Sequence, residues 1–138
     1  MESSLKMLQL VRIFMVGSLV IYALLGEWLA HAPGSPKPVV FYAIAIVGIT
    51  MIALIFPVRR ATITLAAATL AANPDDRVAM TRWRMGHLLT FAMCEAVGLY
   101  GLVLRFMGFP LSRTWFFYVA AILLMLYFAP QSPSKALS

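Results

Sequence analysis

Four apolar stretches, separated by short polar connections, limit how this chain can fold. They cover residues 7–30, 39–56, 87–107 and 115–129 and together make 78 of the 138 positions. A helix needs about 20 apolar residues to cross the hydrocarbon core of a membrane. The four stretches therefore predict an all-α integral membrane protein with four transmembrane helices arranged as two antiparallel hairpins.

The composition excludes most soluble classes of protein. Charged residues make up 12% of the chain and the mean hydropathy is +0.89, whereas an average soluble domain has about 25% charged residues. The sequence also contains no glycine-rich phosphate loop, no Ser/His/Asp set and no zinc-protease motif. We therefore expect no enzyme activity, no cofactor, no metal and no nucleic-acid partner. The expected partners are the lipid bilayer and other membrane-protein subunits or copies of the same chain.

The basic residues predict the orientation of the chain. Loops that remain in the cytoplasm are enriched in Lys and Arg, and with four crossings eight basic residues fall on one side and three on the other. This asymmetry predicts a multi-pass protein of the cytoplasmic (inner) membrane with its N- and C-termini in the cytoplasm. The larger group is Lys6, Arg12, Arg59, Arg60, Arg77, Arg82, Arg84 and Lys135, and the smaller is Lys37, Arg105 and Arg113.

Two connections predict how the spans are joined. The turn at 33–38 is short and proline-rich, so we expect the first two spans to be antiparallel neighbours. The fourth apolar stretch reaches only about 22 Å. We therefore place its span at 113–129, where Arg113 can extend toward the headgroups; a tilted or incomplete crossing is the alternative.

The connection 58–86 predicts a cytoplasmic helical hairpin after a second span that ends at Pro57. Its alanine-rich first half favours a helix that leaves the membrane or lies on its surface. One stripe of this helix carries Ile63, Ala67 and Leu70.

A long helix is predicted over 74–107. Asn73 and Pro74 have the pattern of an N-cap and a first helical residue, and 34 residues give a helix of about 51 Å. Its first turns must project into the cytoplasm, which makes Arg82, Trp83 and Arg84 candidate interface anchors.

Glu95 lies near the middle of the third span. A charged side chain at that depth costs at least about 2.5 to 3.5 kcal/mol on insertion scales, and hydrocarbon favours a neutral carboxyl group, which can bind and release protons. Glu95 is therefore the candidate ion-binding residue. The small residues Ala92, Gly98 and Gly101 form the predicted helix-packing surface around it.

Four further residues have alternative interpretations. His87 lies roughly 12 Å from Glu95 along the helix, and is either a proton relay through water or an interfacial histidine. Glu27 and His31, four residues apart, form either a poor half of a metal site or, as we favour, an interfacial ion pair or hydrogen bond. Cys94, the only cysteine, is interpreted as a packing residue and not as a reactive thiol.

Residues 72–103 resemble part of a known family. The run Glu95-Ala96-Val97-Gly98-Leu99-Tyr100-Gly101-Leu102-Val103 is similar to the ion-carrying helix of subunit c, the rotor-ring proteolipid of rotary ATP synthases. Ala72-Asn73-Pro74-Asp75 is similar to the polar cytoplasmic loop of that family. The resemblance implies that Glu95 carries the ion and that this loop faces the cytoplasm, which agrees with the charge asymmetry.

Three functions follow as expectations. The first is a non-enzymatic accessory or structural subunit of a larger bioenergetic or transport complex, in which Glu95 makes a buried interhelical contact. The alternative that the resemblance implies is a proton-translocating oligomer in which Glu95 is the proton carrier. A small four-span transporter is a more remote alternative.

Overall fold

The computed structural model describes residues 2–29 and 36–130. Within these residues all regular structure is helical and there is no β-strand, which confirms the all-α prediction. The helices are α1 (Glu2–Leu29), α2 (Pro38–Arg59), α3 (Leu65–Ala72), α4 (Arg77–Phe106) and α5 (Leu111–Tyr127).

Three helical segments are long and apolar enough to cross a membrane: Glu2–Leu29, Pro38–Ala72 and Arg77–Phe106. α5 is also apolar but has 17 residues, about 26 Å at 1.5 Å per residue. Large apolar side chains point outward from several helices, as at Phe14, Ile46 and Leu123. These features fit a multi-pass membrane protein.

The second helical segment continues through Pro57 into the alanine-rich stretch, for which the sequence also favours helix. α2 passes through a π turn, Arg60–Thr64, directly into α3, and the 35 residues of Pro38–Ala72 extend about 52 Å. Proline removes one backbone donor and crowds the carbonyl four residues earlier. The π turn begins three residues beyond Pro57, whereas the carbonyl that loses its donor belongs to Ala53, so the helix continues with that one hydrogen bond missing.

α4 begins later than the sequence predicts. Its N-cap is Asp76, whose carboxylate accepts hydrogen bonds from the backbone N–H groups of Val78 and Ala79, both at 2.9 Å. Asn73 instead ends α3 and belongs to the turn before α4. The helix therefore has 30 residues and is about 45 Å long. Asn73 and Asp76 are both residue types that cap helices well, and the structure uses Asp76.

α4 is the central helix. α1 and α2 pack on different sides of it, and α5 packs on a third. Gly98 of α4 faces Leu19 of α1, whereas Gly86 faces Thr62 and Ile63. α1 and α2 therefore do not form the packed pair that their short connection predicts. The proline-rich turn permits such a pair but does not require it, and half of that turn, residues 33–35, lies outside the described residues.

The helices alternate in direction around α4. α1 runs parallel to α4, since Ser4 contacts Arg84 near the start of both helices and Glu27 contacts Arg105 near the end of both. α2 runs antiparallel to α4, and its Phe41 packs on Phe109 just beyond the end of α4. The same end of the bundle therefore holds the start of α1, the α3–α4 turn and the end of α5.

The predicted stripe on the alanine-rich helix is buried inside the protein. Ala67 and Leu70 belong to the same buried cluster as Ala79 and Trp83 in the first turns of α4, and α3 packs against α4. Within residues 58–86, the apolar side of α3 therefore packs against the first turns of α4, and the two helices form a hairpin.

Replacing Asp76 with alanine tests the observed start of α4. The variant loses an N-cap that satisfies two backbone donors, so we expect a loss of about 0.5 to 2 kcal/mol in the free energy of unfolding. Amide hydrogen exchange at Val78 and Ala79 should become faster. Asp75→Ala is the matched control, and equal effects of the two substitutions would contradict the assignment of the cap.

Replacing Gly98 with alanine tests how closely α1 approaches α4. An added Cβ would overlap a methyl group of Leu19, and overpacking typically costs about 1 to 3 kcal/mol. We expect a lower melting temperature in a mild detergent, partly restored by Leu19→Ala in the same chain. Gly17→Ala is the control, because nothing lies within 4 Å of the position of its Cβ. A Gly98→Ala variant as stable as this control would refute the close approach.

Candidate functional site around Glu95

Glu95 lies on the side of α4 that faces α1, and its carboxyl group is hydrogen-bonded within the chain. The hydroxyl of Ser18 donates to Oε1 at 2.6 Å and the hydroxyl of Tyr22 donates to the same oxygen at 2.9 Å. Ser18 and Tyr22 are four residues apart, so they lie on one face of α1. Two helices that are distant in sequence are thereby joined at the middle of α4.

The carboxyl group is only half used by these contacts. Both hydrogen bonds reach Oε1, and the described residues donate none to Oε2. The Glu95 side chain is also partly exposed. One carboxyl oxygen therefore remains available to a group from outside the chain.

Ser18 has more acceptors than hydrogens. Its Oγ lies 2.7 Å from the backbone oxygen of Met15 and 2.6 Å from Oε1 of Glu95, but a serine hydroxyl carries one hydrogen. When Ser18 donates its hydrogen to the backbone oxygen of Met15, the contact between Ser18 Oγ and Glu95 Oε1 is a hydrogen bond only if Glu95 carries a proton and donates it. Both protonation states of Glu95 thus find a hydrogen-bonded arrangement at this position.

Two more polar contacts lie along the same interface, one toward each end. Arg84 donates to the hydroxyl of Ser4 through Nε at 3.0 Å and Nη2 at 2.5 Å. At the opposite end Arg105 Nη2 lies 2.7 Å from Glu27 Oε1. We call this interface the α1–α4 seam. It consists of Ser4, Ser18, Tyr22 and Glu27 on α1 and Arg84, Glu95 and Arg105 on α4.

The small residues predicted around Glu95 take three different roles. Gly98 is buried and faces Leu19, so it brings α1 close to α4, whereas Gly101 faces Phe117 and Tyr118 of α5. Ala92 is exposed. Of the three residues, Gly98 alone packs against α1, the helix whose hydroxyl groups bond to Glu95.

His87 is not brought together with Glu95. Its ring packs between Trp83 and Phe91, with centroid separations of 4.8 and 6.2 Å, and it lines a cavity with Arg59. The hydroxyl groups bonded to Glu95 come from α1 instead. The described contacts therefore contain no path that would support a relay between the two residues.

The three predicted interface anchors also separate. Arg82 is exposed and Arg84 is bonded to Ser4. Trp83 is 0% exposed and thus packs as a core residue and does not reach the surface as an anchor. A tryptophan next to arginines has the sequence pattern of an anchor, but here helix α3 covers the indole.

The sequence predicts His31 as the partner of Glu27, and the structure shows an ion pair of Glu27 with Arg105. His31 lies outside the described residues. Cys94 is buried and free. Within residues 2–29 and 36–130 no group of three or more His, Cys, Asp and Glu side chains is arranged to hold a metal ion.

Sequence reasoning missed the α1 side of the site. Ser18 and Tyr22 are polar side chains inside an apolar stretch, and their spacing of four residues was the signal that a common face of α1 meets a polar group. No known protein family, curated protein or solved structure matches this chain.

Removing the Tyr22 hydroxyl tests the contact with Glu95. Tyr22→Phe keeps the ring and loses one hydrogen bond, so we expect the free energy of unfolding to fall by about 0.5 to 1.5 kcal/mol, measured by circular dichroism in mixed micelles. The same substitution should have no effect in a Glu95→Leu background.

Tyr42→Phe on the exposed face of α2 is the matched control. An equal loss with and without Glu95 would show that the Tyr22 hydroxyl acts elsewhere, because a true contact requires the two effects to be coupled.

Proposed function

We propose that this chain is a non-enzymatic accessory or structural subunit of a larger complex in the cytoplasmic membrane. In this proposal α1, the α2–α3 segment, α4 and the shorter α5 each cross the bilayer. Both termini and the α3–α4 turn are then cytoplasmic. Two features support this topology: the alternating direction of the helices and the excess of basic residues toward that end of the bundle.

The observation that carries the proposal is the half-bonded carboxyl group of Glu95. Its Oε2 has no donor among the described residues and the side chain is partly exposed. In hydrocarbon an unsatisfied polar group costs several kcal/mol. A neighbouring subunit that supplies a donor to Oε2 would remove this cost.

The surface next to Glu95 has the composition that such a contact needs. One side of α4, the uncovered α4 face, is apolar and is not covered by α1, α2 or α5. Small residues on a helix surface allow another helix to approach closely, and Ala92 lies on this face. The uncovered α4 face is equally compatible with lipid. Its exposed members are Met85, Leu89, Ala92, Leu99 and Val103.

A second candidate function is proton translocation with Glu95 as the carrier. It is favoured by the hydrogen count at Ser18, since the hydroxyls of Ser18 and Tyr22, with the backbone oxygen of Met15, accommodate Glu95 with and without a proton. It is also favoured by the resemblance of residues 72–103 to the ion-carrying hairpin of subunit c. In that case the chain would act as an oligomer of identical copies.

Mass spectrometry of the protein extracted in a mild detergent with its native neighbours separates the two proposals. An accessory subunit should appear bound to a different, larger membrane protein. Glu95→Gln, which keeps a hydrogen-bonding side chain, should retain that partner, whereas Glu95→Leu should lose most of it. Thr50→Leu is the control, because the hydroxyl of Thr50 bonds only to its own helix.

The opposite pattern would refute the accessory role. A ring of identical copies, together with proton flux in proteoliposomes that Glu95→Gln abolishes, would establish the carrier instead. Undiminished binding of the larger partner by Glu95→Leu would show that the carboxyl group plays no part in the contact.

A further inference from the structure

A cavity of about 320 Å³ lies where the end of α2, the π turn, α4 and the end of α5 meet. Its volume is about ten times the ~30 Å³ that one water molecule occupies in the liquid. We call it the Arg59–His87 cavity. It is lined by Arg59, Ile63, Thr64, His87, Tyr127, Phe128 and Ala129.

Arg59 brings an unpaired positive charge to this cavity. Its guanidinium carbon lies 4.4 Å from the centre of the Phe128 ring, a cation–π arrangement that fixes the plane of the group. Nη1 is buried and has no hydrogen-bond acceptor among the described residues. A guanidinium group has five N–H donors, so this one is held in place with donors unused.

His87 supplies a second unsatisfied polar group on another wall. The residue is 2% exposed, and neither ring nitrogen has a hydrogen-bond partner among the described residues. Trp83 and Phe91 pack on either side of the ring. Because a buried donor without an acceptor destabilises a protein, a ligand in the cavity that bonds to the imidazole would be stabilising.

No acidic side chain of the chain neutralises Arg59. All five acidic residues are described, and each lies elsewhere in the structure. Glu2 is next to Lys6, Glu27 is next to Arg105, Asp75 lies in the α3–α4 turn, Asp76 caps α4, and Glu95 is bonded to Ser18 and Tyr22. An anion that enters the cavity would complete the charge balance.

We propose that the Arg59–His87 cavity binds a phosphate group, either inorganic phosphate or the phosphodiester of an anionic lipid headgroup. The planar fork of an arginine matches two phosphate oxygens at once. The imidazole N–H of His87 can donate to a third oxygen, with the hydroxyl of Thr64 at the rim. This site is independent of Glu95 and of the proposed role of the α1–α4 seam.

Two binding measurements on the full chain identify the source of the phosphate. One compares native mass spectra of protein taken from phosphatidylcholine nanodiscs with and without phosphatidylglycerol. The other titrates inorganic phosphate onto the protein in phosphatidylcholine alone. Arg59→Gln should weaken binding of the true ligand about tenfold or more, as expected for the loss of charge-assisted hydrogen bonds.

Arg60→Gln is the matched control, because Arg60 is the next residue and is exposed; it should bind like the wild type. His87→Phe keeps the packed ring and removes the nitrogens, so it should also weaken binding. Arg59→Lys keeps the positive charge. It should bind phosphate more weakly than the wild type because lysine lacks the planar fork of arginine.

A measurement on the unmodified protein covers the case in which a variant fails to fold. With ¹⁵N-labelled histidine, the imidazole signal that persists in His31→Gln belongs to His87, and it should shift when phosphate or phosphatidylglycerol is added. Three results would overturn the proposal: no shift with either compound, equal binding by Arg59→Gln and the wild type, or equal weakening by Arg59→Gln and Arg60→Gln.

Discussion

A carboxyl group in the middle of an apolar helix has to be hydrogen-bonded, and the packing of this protein depends on how Glu95 meets that requirement. Its donors, Ser18 and Tyr22, lie on α1, so α1 must run beside α4 at one height and one rotation. The contacts of Arg84 with Ser4 and of Arg105 with Glu27 preserve this register toward both ends. A shift of α1 by one turn would separate Ser4 from Arg84 and Glu27 from Arg105.

The seam also bears on why α1 and α2, which are consecutive in sequence, do not pack on each other. Lipid tails are as apolar as leucine, so helices in a membrane associate through close packing and interhelical hydrogen bonds. α4 offers both: Gly98 admits Leu19 of α1 and Gly86 admits the π turn after α2. α1 and α2 therefore each pack better against α4 than they could against each other. The short connection between them only limits how far apart their ends lie.

The sequence predicts the parts of this structure that depend on composition along one segment, and it fails where two segments compete or meet. The apolar stretches predict the helices, and the isolated acid identifies Glu95 as the central polar group. Asn73 and Asp76 are both good caps, and local preference cannot say which one is used. Proline often ends a helix, but here the helix continues past Pro57 into the π turn. The burial of Trp83 depends on α3, and the partners of Glu95 are more than 70 residues away in the chain, where no local pattern reaches.

The polar groups of α4 and its neighbours separate into those that the chain satisfies and those that it does not. Arg105 has Glu27 within 2.7 Å, so its positive charge is balanced inside the chain. Glu95 uses one oxygen of two, and Arg59 has no acid at all. Water-depleted surroundings make each such deficit expensive, and a chain with only five acidic residues cannot correct them internally. The two deficits differ in sign and in place, because a carboxyl oxygen needs a donor and a guanidinium needs an anion. The two groups therefore require different chemistry from whatever binds them: a hydrogen-bond donor at Glu95 and a negative charge at Arg59.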